Sequence, residues 1–120
     1  MDAKKFYELI GGDYNDALSR LMNDQLINKF VDKFFLNQKV DLLENSLKNK
    51  DYEVAFREIH TLKGVSLNLS FTSLSKVAFE LTEILRNYKD EPIDEQLVNK
   101  KYLEVKECFN KHINVYKSLN

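Results

Sequence analysis

The stretch Ala55-Phe56-Arg57-Glu58-Ile59-His60-Thr61-Leu62-Lys63-Gly64-Val65-Ser66-Leu67-Asn68-Leu69 decides the fold class of this chain. Ala55, Ile59, Leu62, Ser66 and Leu69 recur at intervals of three and four, the spacing that stacks side chains on one face of an α-helix. Phe56, His60, Lys63, Gly64 and Leu67 form a second stripe roughly 100° round the same helix. One face therefore packs, and the neighbouring face carries an imidazole, a cation and a residue with no side chain. Asp51 stands where an N-cap is needed.

Working outward, Ser70-Phe71-Thr72 interrupts the pattern, with Ser70 or Thr72 expected to cap the next helix. That helix shows Leu74, Val77, Ala78, Leu81, Ile84 and Leu85 as its apolar face. Tyr88 to Asp94, with the chain's single proline at Pro92, reads as a polar loop. Val98, Tyr102, Val105, Phe109, His112 and Tyr116 then lie on one seam of a last helix. In the other direction, Val40, Leu42, Leu43 and Leu47 mark a helix behind the polar turn Asn37-Gln38-Lys39. Before that turn, Leu26, Ile27, Phe30, Val31, Phe34 and Phe35 make a wide core-facing stripe. Two short amphipathic pieces come first: Phe6-Tyr7-Leu9-Ile10, stopped by Gly11-Gly12, and Ala17, Leu18, Leu21 and Met22.

Only three glycines and one proline punctuate 120 residues, and no alternating β-branched run occurs. The expected fold is all-α: an antiparallel four-helix bundle over residues 24–120, preceded by short N-terminal helices within residues 1–23. The whole length fits one domain with one core. A net charge of −1 supplies no basic field, so neither nucleic acid nor an anionic membrane is an expected partner. A single cysteine, Cys108, excludes an internal disulfide framework and fits a reducing compartment. Met1 to Glu8 is polar and of mixed charge, unlike a secretory leader. No apolar run reaches membrane-spanning length. These features lead to the expectation of a cytoplasmic domain, and a bundle of this kind can stand as a monomer.

His60 carries the chemistry. A neutral imidazole, with an ordinary pKa of about 6.5, is a nucleophile near neutral pH. One ring nitrogen can attack an acyl phosphate while the other donates a hydrogen bond. The phosphoramidate formed is anionic; Lys63, one turn on, and Arg57, at i−3, are the candidate phosphate-stabilising cations. Gly64 provides a clearing through which a large partner reaches the ring. An interior glycine costs a helix roughly 0.5–1 kcal/mol relative to alanine, which a merely structural helix has no reason to bear. Phe56 and Leu67 are candidates for an apolar docking ring. No glycine-rich phosphate cradle is present, so the chain lacks the parts to phosphorylate itself from ATP. A solvated surface histidine and a glycine kept for close helix packing are the plain alternatives. Cys108 and His112, at i and i+4, offer half a metal site without further ligands, and His112 falls on the apolar seam, so it reads as a core histidine and no metal is expected.

The stretch from Ala55 to Leu69 resembles the signature of histidine-containing phosphotransfer (HPt) domains. The likeness continues through Phe71, Leu74, Val77, Ala78 and Leu81. The resemblance implies a relay intermediate of multistep two-component signalling, with His60 as phosphoacceptor. It implies response-regulator receiver domains as partners, a hybrid histidine kinase as a further one, and no cofactor in this chain, Mg2+ belonging to the receiver. Such a protein is a phosphocarrier, not an enzyme. The family commonly has glycine where this chain has Ser70. It often places Gln or Glu on the next helix to hold the imidazole; Thr82, with Glu83 beside it, occupies that position here. A helical adaptor that docks receivers without being phosphorylated is the alternative reading.

Overall fold

The computed structural model describes all of Met1–Asn120 and is helical throughout. Seven helices follow one another: α1 (Ala3–Ile10), α2 (Tyr14–Leu21), α3 (Asp24–Asn37), α4 (Asp41–Lys48), α5 (Tyr52–Asn68), α6 (Thr72–Leu85) and α7 (Glu95–Ser118). Five of them begin with the same device. The carboxylates of Asp2, Asp13, Asp51 and Asp94 and the amide oxygen of Asn23 each accept a hydrogen bond from the backbone N–H three residues on. Each bond satisfies a donor that the first helical turn otherwise leaves unpaired. Helix α1 ends at Gly11, whose φ of 69° is the left-handed conformation that costs glycine least.

The expected cap of α6 is not the one observed. Phe71 occupies the N-cap position and makes no side-chain cap bond. Ser70 turns left-handed, with φ 59°, and its hydroxyl donates to Asp16 at 2.5 Å. The Thr72 hydroxyl points back to the Ser70 carbonyl at 3.4 Å. Burial of the Phe71 ring outweighs a capping bond here, because that ring is fully inside the core.

Helices α5, α6 and α7 are three antiparallel staves of the bundle. The fourth stave is α3 and α4 in series, both set against α7. Tyr116 near the end of α7 donates to Asp32 on α3 at 2.5 Å. Farther back along α7, Lys106 and Tyr102 both donate to Glu44 on α4 at 2.9 Å, and Glu95 pairs with Lys50 at 3.0 Å. With 24 residues, α7 is about 36 Å long and sets the 44 Å axis of the molecule.

Helices α1 and α2 close one end of the bundle as part of its core. Phe6 meets Tyr7, Phe35, Phe71 and Tyr116 edge-on at centroid distances of 5.7 to 6.4 Å. Such pairs add about 0.5–1.5 kcal/mol each to the burial of their area. The backbone ties are equally direct. The Tyr7 hydroxyl donates to the Leu69 carbonyl at 2.8 Å, the Asp13 N–H to the Ser70 carbonyl at 2.9 Å and the Ser73 hydroxyl to the Ile10 carbonyl at 2.6 Å. The turn that ends α5 is thereby clamped from outside. No helix is long and apolar enough to cross a membrane.

Candidate functional site

Helix α5 positions the site. Ala55, Ile59, Leu62 and Ser66 are buried, and they fix the rotation of the helix about its axis. With Ile59 and Leu62 turned inward, His60 is driven to the surface, where its ring is exposed. Lys63 and Gly64 follow one turn on, both half-buried, and Leu67 stands 53% exposed beyond them. A Cβ built on Gly64 meets nothing within 4 Å. No neighbouring helix needs the missing side chain, which removes close packing as the reason for glycine at this position. The clearing faces solvent.

Phe56 lies half-buried against the core, one turn before His60. Its ring centroid is 5.7 Å from that of His60, with the planes at 41°. Its other neighbours come from the end of α6 and the segment after it: Tyr88 at 6.4 Å and the Arg86 guanidinium at 5.7 Å from the ring centroid. Phe56 is thus a shelf between the imidazole and a cation. Arg86 is held in turn by Glu83, whose Oε1 accepts from Nε at 3.0 Å and from an Nη at 2.8 Å. Those hydrogen bonds keep the Glu83 carboxyl below the usual glutamate range, and the Lys63 charge adds to the pull. Glu83 is thus paired with Arg86. Arg57 is exposed, and its carbonyl accepts from the Thr61 hydroxyl at 3.0 Å.

The two expected ring-orienting residues, Thr82 and Glu83, are each bonded within their own stretch of chain. Thr82 is fully buried, and its hydroxyl donates to the Ala78 carbonyl of its own helix at 2.7 Å. It belongs to the buried seam with Leu74, Ala78, Leu81 and Leu85. Glu83 is engaged by Arg86. Arg86 and Tyr88 are the parts that the sequence reading missed. Glu83 and Arg86 stand at i, i+3, a local signal for an ion pair. Nothing local indicates that the pair reaches across to Phe56.

The second histidine is of a different kind. His112 is fully buried against Phe71, at a centroid distance of 5.5 Å, and its Nδ1 lies 2.8 Å from the Cys108 carbonyl. Nδ1 therefore carries the proton. Burial pushes the ring down to about 4, against a smaller upward pull from that carbonyl. A neutral core histidine cannot serve as a solvent-facing acceptor, which leaves His60 as the accessible imidazole.

Two of the surface hollows lie along the sides of the bundle. One, lined by Phe30, Phe34, Val65, Asn68 and Leu69 among others, opens on the α3 side of α5. The other lies between α4 and the start of α7, remote from His60, and its Lys50 and Glu95 are already paired with each other.

Neither the curated proteins nor the solved structures hold a match to this chain. A family model does match: the Hpt domain, over residues 26–113, from the first turn of α3 almost to the end of α7, leaving α1 and α2 outside. A match over most of the length, on a bundle that presents one exposed imidazole, places this chain in the Hpt family, the histidine phosphotransfer domains of phosphorelays.

Proposed function

We propose that this protein is a phosphorelay intermediate that takes a phosphoryl group on His60 from a receiver-domain aspartyl phosphate and passes it to a second receiver. The observation that carries this reading is the exposed His60 ring beside the open face at Gly64. The imidazole lone pair forms the N–P bond as the P–O bond to aspartate breaks, and the electron pair leaves on the carboxylate. The reverse sequence discharges the histidine onto the next aspartate. Lys63 offsets the charge of the phosphoryl group on His60. Arg57 contributes as a weaker, exposed cation. The partner supplies Mg2+ and the remaining catalytic groups, so the chain acts as a carrier that depends on receiver or kinase domains.

Docking follows from the same face. Leu67, the clearing at Gly64 and the apolar edge of Phe56 form a strip on which a receiver can settle. The domain works as a single unit, with residues 1–23 bracing one end of the bundle, as a monomer in the cytoplasm.

The test is incubation with a receiver charged on its aspartate, followed by intact-mass analysis. One added phosphate, labile in mild acid and missing from His60→Gln, is the expected result. A second reading, a receiver-docking adaptor that is never phosphorylated, draws on Thr82 being committed to Ala78 and not to the His60 ring. Receiver binding that survives His60→Ala while no phosphate reaches the protein would establish that reading instead.

A further inference from the structure

Lys50 holds a backbone conformation that its own contacts do not offset. Helix α4 ends in a Schellman turn, in which the Asp51 N–H donates to the Ser46 carbonyl at 2.8 Å and the Lys50 N–H to the Leu47 carbonyl at 3.2 Å. The residue just past the cap of such a turn is left-handed and is usually glycine; here it is Lys50, at φ 56°. Its ammonium reaches Glu95, at the start of α7, at 3.0 Å, but the two side chains are 65% and 53% exposed. An exposed pair of this kind commonly stabilises by less than the left-handed conformation costs a lysine. The pair alone therefore does not account for a lysine at this corner.

The corner borders a cavity of about 420 Å³ between α4 and the start of α7. Leu47, Val98, Leu103 and the rings of Tyr52 and Tyr102 line it, and Leu103 stands 54% exposed. Lys48 and Lys50 line it as well. Both of its carboxylates are engaged: Glu44 accepts from the Tyr102 hydroxyl and from Lys106 at 2.9 Å, and Glu95 pairs with Lys50. Lys48 has only Glu44, at 3.7 Å. Counting Lys106, three ammonium groups meet two carboxylates, which leaves an excess positive charge over an apolar lining. We infer that this cavity binds a small aromatic carboxylate, its acid group shared between Lys48 and Lys50 and its ring against Tyr52, Val98 and Leu103.

The volume is that of a small-ligand site, and an apolar lining with a few polar groups to orient the ligand is the usual composition of one. A bare inorganic anion would use the ammonium groups and leave the apolar lining wet. A neutral aromatic would use the lining and leave the excess charge unanswered. Only an anion with an apolar body uses both. An ammonium group carries three donors, so Lys50 can keep Glu95 while it receives the ligand. The cavity is remote from His60, and the assignment stands apart from phosphoryl transfer.

The probe is 2-naphthylacetate, titrated into the full-length protein and followed by amide NMR spectra, with 2-naphthylethanol as the uncharged analogue. Saturable shifts at the amides of Leu47, Lys50, Val98 and Leu103 are expected, with a dissociation constant of about 1 mM or below. The alcohol should bind about threefold more weakly or worse. Lys50→Gly keeps the left-handed turn and removes the ammonium; it should weaken binding of the acid about fivefold while melting no lower than the parent. Glu95→Gln releases Lys50 and should tighten binding about threefold, and both charge effects should shrink in 1 M KCl. A purely structural Lys50–Glu95 pair predicts the reverse, with both variants destabilised and neither changed in binding. Absence of saturable shifts, shifts confined to other faces, equal affinity for acid and alcohol, or parental affinity in Lys50→Gly would overturn the assignment. His60→Gln should bind the probe as the parent does, so the result is independent of the relay.

Discussion

Replacing Gly64 separates what the helix needs from what the site needs. An added Cβ meets nothing within 4 Å, so alanine enters without a clash. Position 64 lies well inside α5, which runs to Asn68, where Gly-to-Ala gains about 0.8 kcal/mol through helix propensity and reduced freedom of the unfolded chain. A domain of this length unfolds with an entropy of roughly 0.25 kcal/mol per degree, so Gly64→Ala should raise Tm by about 3 °C. Glutamine is a slightly poorer helix former and should raise it by about 2 °C. Transfer should move the other way. Phosphoryl transfer requires the reacting atoms to approach within about 3–3.5 Å, and a misplacement of about 1 Å can cost a factor of about 100. A glutamine side chain standing in the clearing holds a receiver off by more than that, so Gly64→Gln should lose at least about 100-fold in transfer rate. Thermal melts by circular dichroism and initial rates from a charged receiver read the two effects on one sample. A Gly64→Gln protein that transfers at the parental rate would refute the docking role, and a Gly64→Ala protein that melts lower would refute the open face.

Other substitutions test other parts of the account. The unfolded chain binds a proton on residue 112 that the folded protein refuses, since burial holds this ring down to about 4. Stability from this source is full above about pH 6.5 and falls as the pH drops toward about 4, by as much as about 3 kcal/mol. Urea melts across that range should show the slope, His112→Leu should flatten it, and an unchanged slope would contradict the neutral core histidine. At the α5–α6 turn, Ser70→Ala and Ser70→Gly both lose the hydroxyl bond to Asp16, but only alanine keeps the left-handed cost. Denaturant midpoints should place the glycine variant above the alanine variant by about 1 kcal/mol, and the reverse order would show that φ at this turn is not strained.

Spacing alone made most of the fold legible. The intervals of Ala55, Ile59, Leu62 and Ser66 determine which way α5 faces, and His60 reaches the surface as a direct consequence. His112 could be assigned to the core because Val105 and Phe109 precede it on one seam. The same logic was available for Thr82, four residues from Ala78 and eight from Leu74, and would have put its side chain in the bundle. The cap of α6 was not legible. Ser70 and Thr72 have the right chemistry, but the Ser70 hydroxyl is drawn to a carboxylate 54 residues away. Arg86 over Phe56 is likewise a contact between helices, 30 positions apart in the chain, that no local pattern encodes. The tie from Tyr7 to Leu69 is of the same kind, which is why α1 and α2 read as appendages although they complete the core.

The most direct test of the central claim is a two-receiver relay followed by rapid quench. A first receiver, charged with labelled phosphate and purified, is mixed with this protein and an uncharged second receiver. The account predicts that label leaves the first aspartate, passes through an acid-labile species on this protein and arrives on the second aspartate, with His60→Gln breaking the chain at its middle step. Label reaching the second receiver equally fast through His60→Gln would contradict it.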